Sequence, residues 1–148
     1  MAVRVQQEPF QIGTEVESFS AQAANIGAIV TFTGVVRDVA AGMQHMLIEH
    51  YPAMTQSAIE DIEAQAVTRW DLGASLIIHR HGKLTPGEAI MMVATAAPHR
   101  SAAFSAAEFL MDYLKSRAPF WKQEVSASGA KWVAAKSEDE AALDRWKT

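Results

Sequence analysis

A helix that a proline must end constrains this chain more than any other feature. Residues 98–124 read as an amphipathic helix, a proline and an aromatic strand in immediate succession. Ala103, Ala107, Leu110 and Leu114 recur at +4, +3 and +4, which lays one apolar stripe along a helix. Pro119 offers no N–H and disfavours helical geometry at Ala118, so the helix stops there. Phe120 and Trp121 follow directly. His99 and Arg100 open the unit, Lys115 falls in its last turn, and Lys122 lies three residues beyond the proline. Helix end, proline and strand can hold two amines around one pocket, which makes this stretch the candidate reaction site.

The rest of the chain alternates strands and helices. Residues 3–6 read as a short strand, and Thr14 is placed to cap a helix running to about residue 25, with Glu15 and Glu17 near its positive end. β-Branched residues make 27–36 a strand, with Thr31 and Thr33 on one face and Val30 and Phe32 on the other. A loop over 38–44 leads to a second strand at 46–51. Ile59, Ile62, Ala66 and Trp70 recur at +3, +4 and +4 in a helix spanning 53–71. Strands at 75–81 and 88–96 are joined by a turn over 83–87. After the helix at 99–117 comes a hairpin of 120–127 and 131–133 around Ser128-Gly129, then a short acidic helix. Neither an internal repeat nor a Pro/Gly-rich linker interrupts the chain, so a single domain over 1–148 is expected. Adjacent strand pairs among helices imply an α+β fold with a mixed or antiparallel sheet.

Composition narrows the function. With 148 residues, 49% of them apolar, the chain can bury a real core. No apolar run approaches the roughly 18 residues of a membrane span, and the first residues lack the basic-then-apolar order of a secretory signal, so a cytoplasmic protein with no membrane partner is expected. The sequence contains no cysteine: it cannot form a disulfide, bind zinc through thiolate or use a thiol nucleophile. Any sulfur chemistry must take its sulfur from another molecule. A net charge of −4 argues against a nucleic-acid partner. Yet between His79 and Lys122 six Lys or Arg face three acids, which fits either a local anion site or a mixed solvated surface.

Particular residues sharpen that choice. A free lysine, with a pKa near 10.4, is a poor base, but a nearby cation or partial burial lowers the pKa and frees the amine. Lys115 and Lys122 could serve each other in this way; alternatively Lys115 complements a helix C-terminus and Lys122 sits on an exposed strand face. His99 and Arg100 stand where helix N–H groups already favour an anion, and Arg adds a planar fork suited to phosphate. Gly34 allows close approach of backbone to ligand, so the N–H groups of Val35 and Val36 could contact the same anion with Arg37 closing over it; a strand ending in a surface charge is the plainer alternative. His50, His79 and His81 add three imidazoles. Without HExxH or comparable spacing no metal site is assigned.

Five collinear blocks resemble one family: Thr33-Gly34-Val35-Val36-Arg37, Leu47 to Pro52 with Met54-Thr55, Ile78 to Gly82 with Pro86-Gly87-Glu88, Pro98-His99-Arg100-Ser101, and the uninterrupted run from Asp112 to Lys122. Together they resemble the large, catalytic subunit of molybdopterin synthase. The resemblance implies an α/β-hammerhead type of fold, with Lys115 and Lys122 as catalytic lysines and Arg37, His99 and Arg100 lining the substrate pocket. Val35, Val36, Gln123 and Glu124 match flanking pocket positions, and Lys136 matches a basic residue lent by a neighbouring large subunit. The implied substrate is a cyclic pyranopterin monophosphate, converted to the dithiolene molybdopterin without a cofactor. The implied sulfur donor is a small ubiquitin-like subunit with a thiocarboxylated Gly-Gly C-terminus, in a heterotetramer built on a homodimer of large subunits. Lys136 stands where relatives can carry arginine, His81 where many are apolar, and Val35 where lysine can occur. A non-enzymatic module that captures a partner's C-terminal tail is the reading from another class.

Overall fold

The computed structural model describes every residue except 39–41, 134–136 and 148. In chain order the elements are β1 (Ala2–Gln6), α1 (Ile12–Gln22), β2 (Ala28–Val35), β3 (Met43–His50), α2 (Pro52–Trp70), β4 (Ala74–Arg80), β5 (Gly82–Leu84), β6 (Ala89–Ala97), α3 (Arg100–Arg117), β7 (Phe120–Ser126), β8 (Gly129–Trp132) and α4 (Ser137–Ala142), followed by a 3-10 turn at Leu143–Trp146. The strands form two four-stranded sheets, ordered β1-β4-β6-β2 and β5-β3-β7-β8. The first is mixed, since β1 runs parallel to β4 while the other pairs are antiparallel; the second is antiparallel throughout. This is the α+β architecture of hammerhead type expected from the sequence.

Alternation along β4 divides the core. Ile77 faces α2 and α3, where it packs with Ile59, Ile62, Phe109 and Leu110; Leu76 and Ile78 face the opposite side, where Phe19 of α1 covers them. Small residues let α3 sit close on β6. Ala103 and Ala106 are fully buried, and the Thr95 hydroxyl donates to the Ala103 carbonyl across 2.7 Å. A third cluster, Val36, Met43, Ile48 and Leu84, joins the sheets, and Phe120 packs against both this cluster and the main core.

Three sequence expectations change. Thr14 does not cap α1: the helix starts at Ile12, and Glu15 N–H donates to the Gln11 carbonyl. The earlier start aligns Val16 and Phe19 with the sheet and pairs Glu15 with Arg4. β3 begins at Met43, because burying Met43 against Val36 rewards extending the strand into the expected loop; residues 39–41 of that loop lie outside the described residues. The segment after β4 contains a short strand, β5, which pairs with β3 and buries Leu84 completely. Gly82, at φ +91°, supplies the left-handed step that redirects the chain there.

Candidate functional site

Pro119 ends α3 at Ala118, whose backbone turns extended, and β7 starts at once. On β7, Phe120, Lys122 and Glu124 share one face, while Trp121 and Gln123 occupy the other. Register with β3 places Lys122 opposite Ile48 and Phe120 opposite His50. Ile48 is buried, so Lys122 belongs to the inner face and is itself half-buried. The Thr55 hydroxyl donates to the Pro119 carbonyl at 3.2 Å, and Tyr51 meets Trp121 edge-on at 4.9 Å, tying the start of α2 to the break. Lys115 is exposed in the last turn of α3, beside a buried Leu114. Ser116 donates to the Asp139 carbonyl at 2.9 Å and Arg117 pairs with Glu140 at 2.7 Å, so α4 grips the turn that carries Lys115. The two lysines thus stand on the two elements that meet at Pro119.

His99 and Arg100 lie elsewhere. His99 is the N-cap of α3 without a side-chain cap bond, and Arg100 is the first helical residue; both are exposed. Fifteen residues of helix separate Arg100 from Lys115, about 22 Å at 1.5 Å per residue. A single pocket holding both ends of α3 therefore does not exist within one chain. β6 and β2 explain the polarity. Ala28 pairs with Ala97, next to His99, whereas Val35 pairs with Ala89 at the opposite end, beyond which Arg37 is exposed. Leu114 packs in one cluster with Met91, which puts the Lys115 end of α3 at the Arg37 end of the sheet.

Two of the flanking residues take positions that depend on strand register. Val36 is buried; its N–H donates to the Glu88 carbonyl at 2.9 Å and its carbonyl accepts from Gly87 at 2.8 Å. That N–H is committed to the fold, while Val35 is exposed. Gln123 faces away from Lys122, opposite Leu47 and Trp132, whereas Glu124 shares the Lys122 face. Lys136 lies outside the described residues. Two residues counted toward the basic middle are also committed: Arg80 pairs with Glu88 at 3.1 Å and donates to the Gln7 carbonyl, and Arg117 is held by Glu140. Hydrogen bonds from Thr85 and Arg80 keep the Glu88 carboxyl below its ordinary range.

Three histidines that are separate in the sequence meet around Phe120 and His50 in the fold. His79 is buried and stacks on Phe120 at 3.7 Å and 15°. Its Nδ1 donates to the Arg80 carbonyl at 2.8 Å, which fixes the proton on Nδ1. Burial pushes its pKa down to about 3, and the Lys122 charge adds to that effect. The turn at Gly82 brings His81 against His50, ring centroids 4.2 Å apart. Burial, then the neighbouring His81, lowers the pKa of His50. On the outer face of the second sheet Glu49, His50, Tyr51, Trp121 and Trp132 line an open hollow of about 300 Å³. Among the described residues no group of three or more His, Cys, Asp or Glu is arranged to hold a metal ion, and no helix is long and apolar enough to cross a membrane. Because cross-strand register decided which imidazoles meet, only the aromatic Phe120 beside the lysine hinted at this cluster.

Fold and site together define a class: a two-sheet α+β protein that sets two lysines around a proline-ended helix. A family profile described as MoaE protein matches residues 5–117. Over 146 residues the chain is 64% identical to the molybdopterin synthase catalytic subunit of Cereibacter sphaeroides, spanning 99% of this chain and 100% of that one. The molybdopterin biosynthesis MoaE protein of Burkholderia ambifaria superposes with a TM-score of 0.85 at 47% identity, over 99% of this chain and 98% of that one. Molybdopterin synthase of Staphylococcus aureus gives 0.80 at 28% identity, over 88% and 96%. A complex of subunits 1 and 2 of the Helicobacter pylori molybdopterin-converting factor shares the fold, with a TM-score of 0.76 at 20% identity over 91% and 90%. The chain belongs to the MoaE family, that of the molybdopterin synthase catalytic subunits.

Proposed function

We propose that this chain is the catalytic subunit of a cytoplasmic molybdopterin synthase, a sulfurtransferase that works as one domain and converts a cyclic pyranopterin monophosphate to molybdopterin. The sulfur comes from the thiocarboxylated Gly-Gly tail of a small ubiquitin-like subunit and is delivered twice. The observation that carries this reading is the placement of Lys115 and Lys122 on either side of Pro119 in a chain 64% identical to a named catalytic subunit. One lysine acts as acid/base or as transient acyl acceptor at the tail carbonyl, and Arg37 compensates charge as the cyclic ester opens. Lys122 is half-buried on the strand face it shares with Phe120, opposite Ile48.

Phosphate binding by His99 and Arg100 then requires a second copy of the chain, because α3 keeps them about 22 Å from Lys115 in their own. β2 suits that assembly. It stands at the edge of its sheet among the described residues and exposes Ile29, Phe32 and Val35, and Phe104 is exposed on the helix that packs over it. Antiparallel apposition of two β2 edges about a two-fold axis would set the His99 end of one copy beside the Arg37 and Lys115 end of the other. Lys136 of the neighbour is a further basic contributor. Purified chain mixed with the thiocarboxylated small subunit and the cyclic pterin should form dithiolene; failure to do so with both substrates present would overturn the assignment.

A further inference from the structure

His79 belongs to the first sheet but its ring lies on the second. In the first sheet it stands in register between Val5 of β1 and Met91 of β6. Phe120, on which the ring stacks at 3.7 Å and 15°, is the first residue of β7 after Pro119. Lys122 follows on the same face of that strand, about 6–7 Å further along. A leucine or phenylalanine would fill the His79 position without burying a polar ring. What the imidazole adds is a tether: its Nδ1–H is held by the Arg80 carbonyl at 2.8 Å, so the plane of the ring is fixed as well as its place. Burial above all keeps the ring uncharged until the pH falls to about 3; the Arg80 hydrogen bond opposes this, while the charge of Lys122, then His50 and His81, act in the same direction. The guanidinium of Arg80 is turned to Glu88 and the Gln7 carbonyl. The stacked ring thus supports the lysine strand without placing a second cation beside the amine.

We propose that His79 is a positioning residue for Lys122: tethered to Arg80 and stacked on Phe120, its ring is a fixed slab that sets how β7 leaves Pro119 and therefore where the Lys122 amine stands. The inference rests on the sulfur-transfer reading, in which that amine takes part in the chemistry. The slab acts through Phe120 and need not touch substrate. Two properties are required of it, a planar face for Phe120 and a neutral ring, and the phenyl ring of phenylalanine has both while lacking the tether. Leucine has the volume without the face.

Separating face from volume tests this. In His79→Leu, kcat for dithiolene formation should fall by about one to two decades with KM for the pterin unchanged, the scale on which a misplaced catalytic group acts. His79→Phe should recover most of that loss. A second measurement needs neither a His79 variant nor turnover: followed by NMR, His79 should take up its proton at a higher pH in Lys122→Gln than in the wild type, because the amine's charge then no longer opposes it. Wild-type kcat in His79→Leu, an equal loss in His79→Leu and His79→Phe, or a His79 titration indifferent to Lys122 would each overturn the positioning role. An inactive wild type whose His79 titration still moves in Lys122→Gln would instead overturn the sulfur-transfer reading, leaving the placement of ring beside amine intact.

Discussion

Lys115 is exposed beside a buried Leu114, so its amine contributes nothing to the core. Lys115→Ala should therefore keep the wild-type melt and nearly abolish dithiolene formation; normal turnover with excess thiocarboxylated subunit would remove it from the chemistry. Arg100→Ala should raise the Kd for the cyclic pterin phosphate by one to two decades, since a charge-assisted contact contributes about 1.5–3 kcal/mol. Arg100→Lys should recover only part of this, keeping the charge but losing the fork. His79 makes a separate prediction about stability. Unfolded, its imidazole takes a proton near 6.5, but in the fold only near 3. In that window the unfolded state binds more protons, so stability falls as pH falls from about 6.5 and the loss is complete only below about 3. Urea midpoints measured across this range should drop for the wild type and drop less for His79→Gln.

At the scale of elements, the C-terminal segment is a clasp on α3. Trp146 packs on Trp70 and Phe109 at 5.5 Å from each and donates to Asp112 at 2.7 Å, while Arg145 pairs with Glu108. Trp146→Ala should cost about 2–3 kcal/mol in urea unfolding, less than a fully buried Trp would, because the side chain is only half-buried. Sequence patterns made α2 and α3 legible: Ile59, Ile62 and Ala66, and Ala103, Ala107, Leu110 and Leu114, are all buried as their spacing requires. β5 was not legible, because three residues beside a glycine carry no period and exist as a strand only through pairing with β3. The same limit applied to the site. Lys115 and Lys122 could be placed on either side of Pro119 from local rules, whereas the burial of Val36, the outward turn of Gln123 and the meeting of His50 with His81 depend on register between distant strands. Gly27 shows another such dependence: a Cβ there would run into the Pro98 carbonyl oxygen, so Gly27 stands where β2 and the start of α3 touch.

For the whole molecule, the separation of the two basic ends of α3 can be tested by mixing a turnover-defective variant with a weak substrate binder, at a pterin concentration far enough below the Kd of the weak binder that neither parent shows activity. Lys115→Ala and Arg100→Ala damage opposite ends of the helix. After subunit exchange, a mixed dimer should hold one pocket with both defects and one with neither, so the mixture should recover activity that neither parent shows; no recovery after verified exchange would mean that each chain works alone. The length of α3 also has a kinetic consequence. If the amines and the phosphate clamp of one pocket come from different chains, an isolated subunit has no complete pocket. Specific activity should then decline on dilution, with the initial rate approaching a second-order dependence on enzyme concentration, while the fold of each subunit persists.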